Sequence, residues 1–478
     1  MIFSFRALMA LAAGSLAFGC SLGPQFQRPS VPTQADYLEH DKSQAVAEQW
    51  QPLNLRFGQD LPAQWWQLFH SPSINRLVTR ALLHNADIQV AQQALLVAQE
   101  NSAAGQGNWP SLNLGFNPSR NKTSSALSAV PANNAQYYTL HTAQLNINYL
   151  FDVWGANRRQ AESLQAQAEQ QRFVYEATYL TLTSNVVNAA IQDAALRSQI
   201  ALQKRIIRAQ QTILGSSQRQ RNLGQLAEID IFAHDDDLTH AQITLDALEK
   251  SLKQQHDLIA ALNGDFPNQP TPPLAIQAIQ RPDEIPVSLP AQLTNQRPDM
   301  RAAEANWHAA CAQYGVALAN RLPSLSLTGN IGSSATGLHQ LFTSGQGIWA
   351  IAAQMTQPLF DGGTLRHRQR AAAAAMAQAA ASYHSVVVTA FQNVADTLHA
   401  LALDGQTLDK NQRALARANR SLTISRHQFA FGDLANTALQ QAIVDQAQAE
   451  MAVIQAQASQ LSDTVALFQA LGGGWWNR

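Results

Sequence analysis

A mostly helical chain with a membrane β-barrel portion is the fold class the sequence predicts. Three observations carry it. Five short landmarks recur in order at nearly one offset. Four runs alternate apolar with small or polar residues. Two stretches of more than sixty residues keep helical spacing without proline.

The chain has 478 residues, with 32 basic side chains against 33 acidic ones. That balance excludes a binder that works through a basic face, so no nucleic-acid partner is expected. Only 14% of residues are charged, while Ala and Gln are abundant. Such a surface suits helices that approach closely and walls that face water. Two cysteines, Cys20 and Cys311, cannot make a disulfide framework.

The first residues read as an export signal. Arg6 supplies positive charge, and Ala7 to Phe18 form an apolar run too short to span a bilayer. The run ends Leu16-Ala17-Phe18-Gly19-Cys20, which resembles a bacterial lipobox with Ala17 and Phe18 as departures. In that reading Cys20 is lipidated and becomes the mature N-terminus. Ser21 after it, where Asp is absent, resembles an outer-membrane address. An ordinary secretory signal with a nearby cysteine is the alternative. No later stretch reaches 18 apolar residues. Ala371 to Ala381, with Gln378 inside it, reads as a packing helix. Any membrane crossing must therefore be made by strands.

The landmarks set the organisation. Pro110-Ser111-Leu112 recurs as Pro323-Ser324-Leu325, 213 residues on. Leu150-Phe151-Asp152 recurs as Leu359-Phe360-Asp361. Leu223-Gly224-Gln225-Leu226-Ala227 recurs as Phe431-Gly432-Asp433-Leu434-Ala435. Ala261-Leu262-Asn263-Gly264 recurs as Ala470-Leu471-Gly472-Gly473, and Asn85-Ala86-Asp87 aligns with Arg297-Pro298-Asp299. The period is far longer than a solenoid unit, so the sequence predicts a duplicated domain. The expected boundaries are a signal peptide at 1–19, an irregular lipidated segment at 20–70, and a first repeat at 71–264. A linker at 265–290, a second repeat at 291–473 and a tail at 474–478 follow.

Within one copy, residues 72 to 107 carry helical spacing, with Pro110 as the stop. Leu112, Leu114 and Phe116 then alternate with Asn113, Gly115 and Asn117, the period of a two-faced strand. After a loop rich in Ser, Asn, Ala and Pro, Leu145, Ile147 and Tyr149 alternate with Gln144, Asn146 and Asn148. From Ala156 to Arg221, Phe173, Leu180, Val187, Ala194 and Ala201 stand seven apart, with Ala177, Ser184, Ile191 and Ser198 between them. That is a heptad seam. The helix turns near Gly224 and returns over 228–262. The second copy repeats this with Leu325, Leu327 and Ile331, then Trp349, Ile351 and Met355, then helices over about 363–431 and 434–471. Trp65, Trp66, Leu68 and Phe69 have the look of a docking patch, with ordinary core packing the favoured reading.

Apolar residues on one strand face and Asn, Gln, Ser or Thr on the other suit a barrel with a wet lumen. Four strands cannot close one, and an open sheet edge in lipid costs several kcal/mol per unpaired backbone group. Several chains must therefore contribute. Two would give eight strands and a filled interior, and three would give twelve and a channel. A helix of some 65 residues spans roughly 100 Å and cannot bury its seam alone.

The chain resembles the TolC-like outer-membrane efflux proteins, specifically the lipidated NodT/OprM-type channels of RND tripartite pumps. The likeness rests on Cys20-Ser21-Leu22-Gly23-Pro24, Arg28-Pro29 and Trp65-Trp66 with Phe69. It continues through Arg297-Pro298-Asp299 with Ala303-Glu304, Pro323-Ser324-Leu325-Ser326-Leu327, Pro358-Leu359-Phe360-Asp361-Gly362-Gly363 and Ala470-Leu471-Gly472-Gly473-Gly474-Trp475. The resemblance implies a homotrimer, with a twelve-strand β-barrel in outer-membrane lipid joined to a twelve-helix α-barrel in the periplasm. It implies a periplasmic adaptor, an inner-membrane RND-type transporter, and a passive duct for small toxic compounds.

In the family the hairpin tips dock the adaptor, which assigns that role here to Gly224, Leu226, Gly432 and Leu434. In the family, acidic residues just after the tips often line the periplasmic constriction, which points to Asp230. The run Asp235-Asp236-Asp237 reads either as a solvated helix face or, with Asp433, as part of a cation-attracting ring at the closed end, built from three symmetry copies. The second copy departs from the family, with Ala438 and Gln441 at usual acidic positions, and Gln220 and Gln428 stand where a basic residue is usual. Replacing the ring of carboxylates should change cation preference.

No catalytic or metal pattern is present in the sequence, so neither an enzyme nor a cofactor is expected. His234 and His240, six apart, do not share a helix face and read as solvated. Cys311, among alanines, reads as a small buried residue. Two alternatives stay open: the outer-membrane component of a type I protein-secretion system, and a non-transporting scaffold that spans the periplasm.

Overall fold

The computed structural model describes residues 21–30, 37, 54–107, 109–124, 137–269 and 273–477. They form two compact units. One comprises the residues up to Arg28, Leu96–Gln170 and Ala303–Tyr383. The other comprises Pro29–Leu95, Gln171–Ala302 and His384–Arg478.

In chain order the elements are β1 (Leu55–Phe57), α1 (Pro72–His84), α2 (Ala86–Gly105), β2 (Ser111–Lys122), β3 (Tyr137–Phe151), α3 (Ala156–Asn222) and α4 (Glu228–Leu262). Then come β4 (Ile285–Val287), α5 (Pro290–Gln296), α6 (Pro298–Ala319), β5 (Ser324–Ala335), β6 (Gly347–Thr356), α7 (Thr364–Ala430) and α8 (Asn436–Ala470). Helices α3 and α7 have 67 residues each, and α4 and α8 have 35 each. Both pairs start 208 positions apart.

The first unit holds an antiparallel sheet in the order β2-β3-β5-β6. Its register collects the apolar residues on one face. Leu114, Leu145, Ile331 and Trp349 form one row across all four strands, and Leu112, Ile147, Gly329 and Ile351 form the next. The opposite face carries Asn113, Asn146, Asn330 and Ala350, then Ser111, Asn148, Thr328 and Ala352. Leu140, Leu150 and Ile348 are the large aliphatic departures on that face.

Each strand hands over to its long helix through an aspartate. Asp152 accepts from the backbone N–H groups of Asn157 (2.9 Å) and Arg158 (3.0 Å), so it caps α3. Asp361 accepts from Gly363 (2.9 Å) and Leu365 (2.7 Å), so it caps α7. These bonds satisfy N–H groups that a helix start leaves without partners. They also hold the Asp361 carboxyl below its usual range, chiefly through the Leu365 N–H.

The second unit holds the main core. Trp65, Phe69 and Phe468 meet edge to face, with ring centroids 5.7 and 6.1 Å from Phe468. Around them Ile74, Ile191, Ile285, Leu293, Met300 and Leu398 are fully buried. The aromatic cluster is therefore core packing, as its sequence suggests.

Several expectations needed correction. The helix anticipated over 72–107 is two helices, because Asn85 is extended (ψ 129°). Its Oδ1 accepts from the N–H groups of Asp87 (2.8 Å) and Ile88 (3.2 Å), which starts α2 afresh. Helix α2 ends at Gly105, ahead of Pro110, where a Cβ would sit 2.3 Å from Leu164. The 20–70 segment and the 265–290 linker are not wholly irregular, since β1 and β4 pair in parallel. The heptad seam of α3 buries Phe173, Leu180, Val187 and Ala194, but Ala201 is exposed and Leu202, Ile206 and Ile213 replace its line. A straight helix drifts off a 3.5 repeat by about 20° per heptad.

One 18-residue window of α7 also reaches the apolarity of a membrane crossing, with mean hydropathy 1.3. Only 28% of that window is buried inside the chain. It lies in a helix rich in alanine.

Candidate functional site: strand faces, N-terminal strap and hairpin tips

Among the described residues nothing covers the sheet's apolar face. Leu114 is 82% exposed and Trp349 76%. Both outer strands are open as well: among the described residues, β2 pairs only with β3 and β6 only with β5. An exposed apolar face and two bare edges on strands of 10 to 15 residues are incompatible with water on that side.

Cys20 lies outside the described residues, but the chain just after it is fixed. Arg159, buried, donates through Nε to the Leu22 carbonyl at 3.0 Å and through Nη2 to the Gly23 carbonyl at 3.3 Å. Leu22 N–H donates to the Trp154 carbonyl at 3.3 Å. Gly315 makes room for this strap, since a Cβ there would stand 2.8 Å from the Leu22 oxygen. Farther along, Phe26 stacks on His308 at 4.6 Å, and Arg28 pairs with Glu304 at 3.0 Å. The Trp154 indole donates to the Pro323 carbonyl at 2.7 Å. The strap therefore sits where β3 ends, α3 begins and β5 is about to start.

The two hairpin tips share one geometry. Gln225 N–H reaches the Gln220 carbonyl (2.9 Å) and Gly224 N–H reaches that of Arg221 (2.8 Å). At the other tip Asp433 reaches Gln428 (2.9 Å) and Gly432 reaches Phe429 (3.1 Å). These paired bonds close a helix through a left-handed residue. Gly224 has φ +71° and Gly432 +82°, with open space where a Cβ would stand. Gln220 and Gln428 thus serve the turns through their backbone oxygens, whatever their side chains do.

Leu226 is half-buried, and Leu434 packs on Leu422, Leu439 and Ala442. Leu223 and Phe431 stand out, 73% and 81% exposed, and sequence reasoning did not single them out. Asp230, Asp235, Asp236, Asp237 and Asp433 are all exposed. The triplet does not act as one group. Asp236 pairs with His240 at 3.4 Å, whereas Asp237 borders a cavity of about 440 Å³ lined also by Gln203, Gln210, Thr244 and Met451. Among the described residues no cluster could hold a metal. Cys311 is buried, which pushes its thiol up.

The structure also reveals ionisable groups that the sequence reading missed. Asp193, fully buried on α3, meets Arg197 at 2.7 Å and His256 of α4 at 2.8 Å. The Asp193/Arg197 spacing was legible, but the third member comes from another helix.

The sequence matches the family described as "Outer membrane efflux protein" over residues 77–264 and 289–473. It is 27% identical to "Probable efflux pump outer membrane protein TtgC" of Pseudomonas putida, covering 99% of this chain and 96% of that protein. It is 23% identical to "Probable outer membrane lipoprotein SilC" of Salmonella typhimurium, covering 98% of each. The solved outer-membrane channel OprN superposes with a TM-score of 0.82 at 24% identity, covering 95% of this chain and 100% of OprN. That likeness shows the fold, a mostly helical TolC-like channel fold. The match spans both halves of the sequence, and the chain belongs to the outer membrane efflux protein family.

Proposed function

We propose that three copies of this chain close one conduit through the outer membrane. The protein is an outer-membrane exit channel of efflux. The observation that carries the assembly is the four-stranded sheet, apolar on one face and, among the described residues, unpaired at both edges. Three such sheets joined edge to edge make a twelve-strand barrel wide enough for a channel, with the Asn-bearing face inward. The same threefold arrangement would ring the helical hairpins and cover the exposed side of α7.

The two halves are proposed to be copies from one duplication. Equal helix lengths, matching Schellman closures at the tips, and aspartate caps at 152 and 361 support that reading. Lipidation of Cys20 is proposed as well. Fixing of Leu22 and Gly23 at the strand–helix junction would hold acyl chains at the level where a barrel enters lipid.

Energy would come from an inner-membrane RND-type transporter, linked by a periplasmic adaptor at the tips around Gly224, Leu226, Gly432 and Leu434. The similarity to TtgC, named as the outer-membrane protein of an efflux pump, supports that partnership. Export of small toxic compounds is the expected cargo class. Asp230, Asp235, Asp236, Asp237 and Asp433 are proposed to attract cations to the narrow end. Purified protein in planar bilayers tests this. It should conduct in discrete steps, and Asp230→Ala with Asp236→Ala should weaken cation preference. Absence of conductance refutes the channel, while unchanged ion preference refutes the acidic constriction alone.

A further inference from the structure

The two long hairpins place ionisable groups at matching levels and treat them differently. In the first, Asp193 is neutralised by Arg197 and His256. In the second, shifted by 208, Leu401, Gly405 and Thr464 stand at those three positions. Two acids lie there instead, Asp404 on α7 and Asp463 on α8. Their counterparts in the first hairpin are Leu196 and Gln255, and Gln255 spends its amide on the Ala189 carbonyl at 3.0 Å.

Nearer the tip, Asn411 donates to the Ala452 carbonyl at 3.3 Å, and this register sets the Asp404 and Asp463 side chains against each other across the α7–α8 seam. Asp404 Oδ2 is shielded from solvent with no hydrogen-bond partner among the described residues. Gln460 approaches the same level beside Gly405, and Thr464 turns its hydroxyl back to the Gln460 carbonyl at 2.8 Å. From α3, Gln192 reaches Ser462 at 3.4 Å, and the neighbouring Asp193–Arg197–His256 set is already internally paired. Among the described residues, Asp463 is the one charged group that acts on Asp404.

We propose that Asp404 and Asp463 form a proton-binding site that clamps the second hairpin when one proton is shared and loosens it when that proton leaves. In the bound form the O–H of one carboxyl donates to an oxygen of the other. Loss of the proton to solvent leaves two carboxylates facing across a helix contact, with no cation to separate them. Burial, and then the Asp463 side chain, push Asp404 up to about 7, so the exchange falls at neutral pH. The sign follows from linkage. The native state keeps a proton that the unfolded chain has released, so this contribution is complete in acid. It declines from the ordinary carboxylate value up to about 7. The inference needs no assumption about cargo or partners.

Hydrogen exchange on the full-length protein in detergent tests it, because the first hairpin is an internal control. Segments around Asp404 and Asp463 should lose protection several-fold relative to the matching α3 and α4 segments as pH rises from the ordinary carboxylate value to about 7, and level off above it. Asp404→Asn and Asp463→Asn should each abolish that divergence. The infrared carboxylic-acid C=O band that titrates near 7 in the parent protein should be lost in both. A constant ratio between the hairpins across that pH range, or a divergence that persists in either Asn variant, overturns the proposal.

Discussion

Arg297 donates through Nη1 to the Ala470 carbonyl at 3.0 Å, tying the end of α8 to the start of α6. Its other arm pairs with Asp299 at 2.6 Å. The counterpart in the first half is Asn85, which donates to the Leu262 carbonyl at 3.0 Å. Both contacts satisfy carbonyls that a helix end leaves open, and the Arg cation also suits the negative end of the dipole.

Removing these ties should cost unequal amounts. Arg297→Ala breaks a charge-assisted bond and should cost about 2–3 kcal/mol. Asn85→Ala removes a neutral bond and a helix cap, at about 1–2 kcal/mol. Denaturant midpoints followed by helical circular dichroism measure both. Equal, negligible shifts would refute this account of the helix ends.

Glycines at the two kinds of turn should differ in tolerance. At Gly472, φ is +96° and a Cβ would lie 2.4 Å from the Gln296 carbonyl oxygen, so Gly472→Ala must displace backbone. Gly224 needs only its left-handed φ and has open space around it, so Gly224→Ala should cost roughly 1–2 kcal/mol. Yield of assembled protein and its melting temperature should separate the two variants clearly.

The strand faces make a sharper comparison. Leu114→Arg puts a cation on the exposed apolar face and should cost about 2–4 kcal/mol of membrane stability if it faces the bilayer midplane. Asn113→Arg, one residue away on the polar face, should be inserted normally and alter conductance. Outer-membrane fractionation of the two variants reads the difference. Equal insertion would reverse the facing assigned to the sheet.

The cap of α7 should give an acid-side signature. Asp361 is held low by backbone N–H groups, so its contribution is present above the ordinary carboxylate value and is lost as pH falls through its own lowered value. Asp361→Asn should remove that part of the acid dependence while leaving the alkaline side unchanged. Protection of the first turn of α7, followed by hydrogen exchange against pH, measures it.

Long, periodic elements were legible before the structure, and contacts between elements were not. Helix α4 was bounded correctly because Glu228 and Leu262 bracket an uninterrupted pattern. The alternation in β2 and β3 gave both faces because a period of two admits one assignment of sides. The break at Asn85 was missed although Asn-Ala-Asp is a helix-start signature, since apolar spacing runs straight through it. The pairing of β1 with β4 could not be read, because three-residue strands carry too little pattern. The Arg159 strap and the Asp404–Asp463 contact were likewise hidden. Each joins positions far apart in sequence, the first through the path of the N-terminal segment and the second through hairpin register.

The central claim is that three chains share one sheet, and the unpaired edges of β2 and β6 test it most directly. Cysteines introduced in pairs along these strands, one at 112, 114 or 116 and one at 349, 351 or 353, should oxidise between neighbouring chains in the outer membrane. The account predicts that at least one register yields a covalent species of three chains, absent from either single-cysteine variant. Oxidation that gives only monomers or open-ended ladders of higher mass would contradict it.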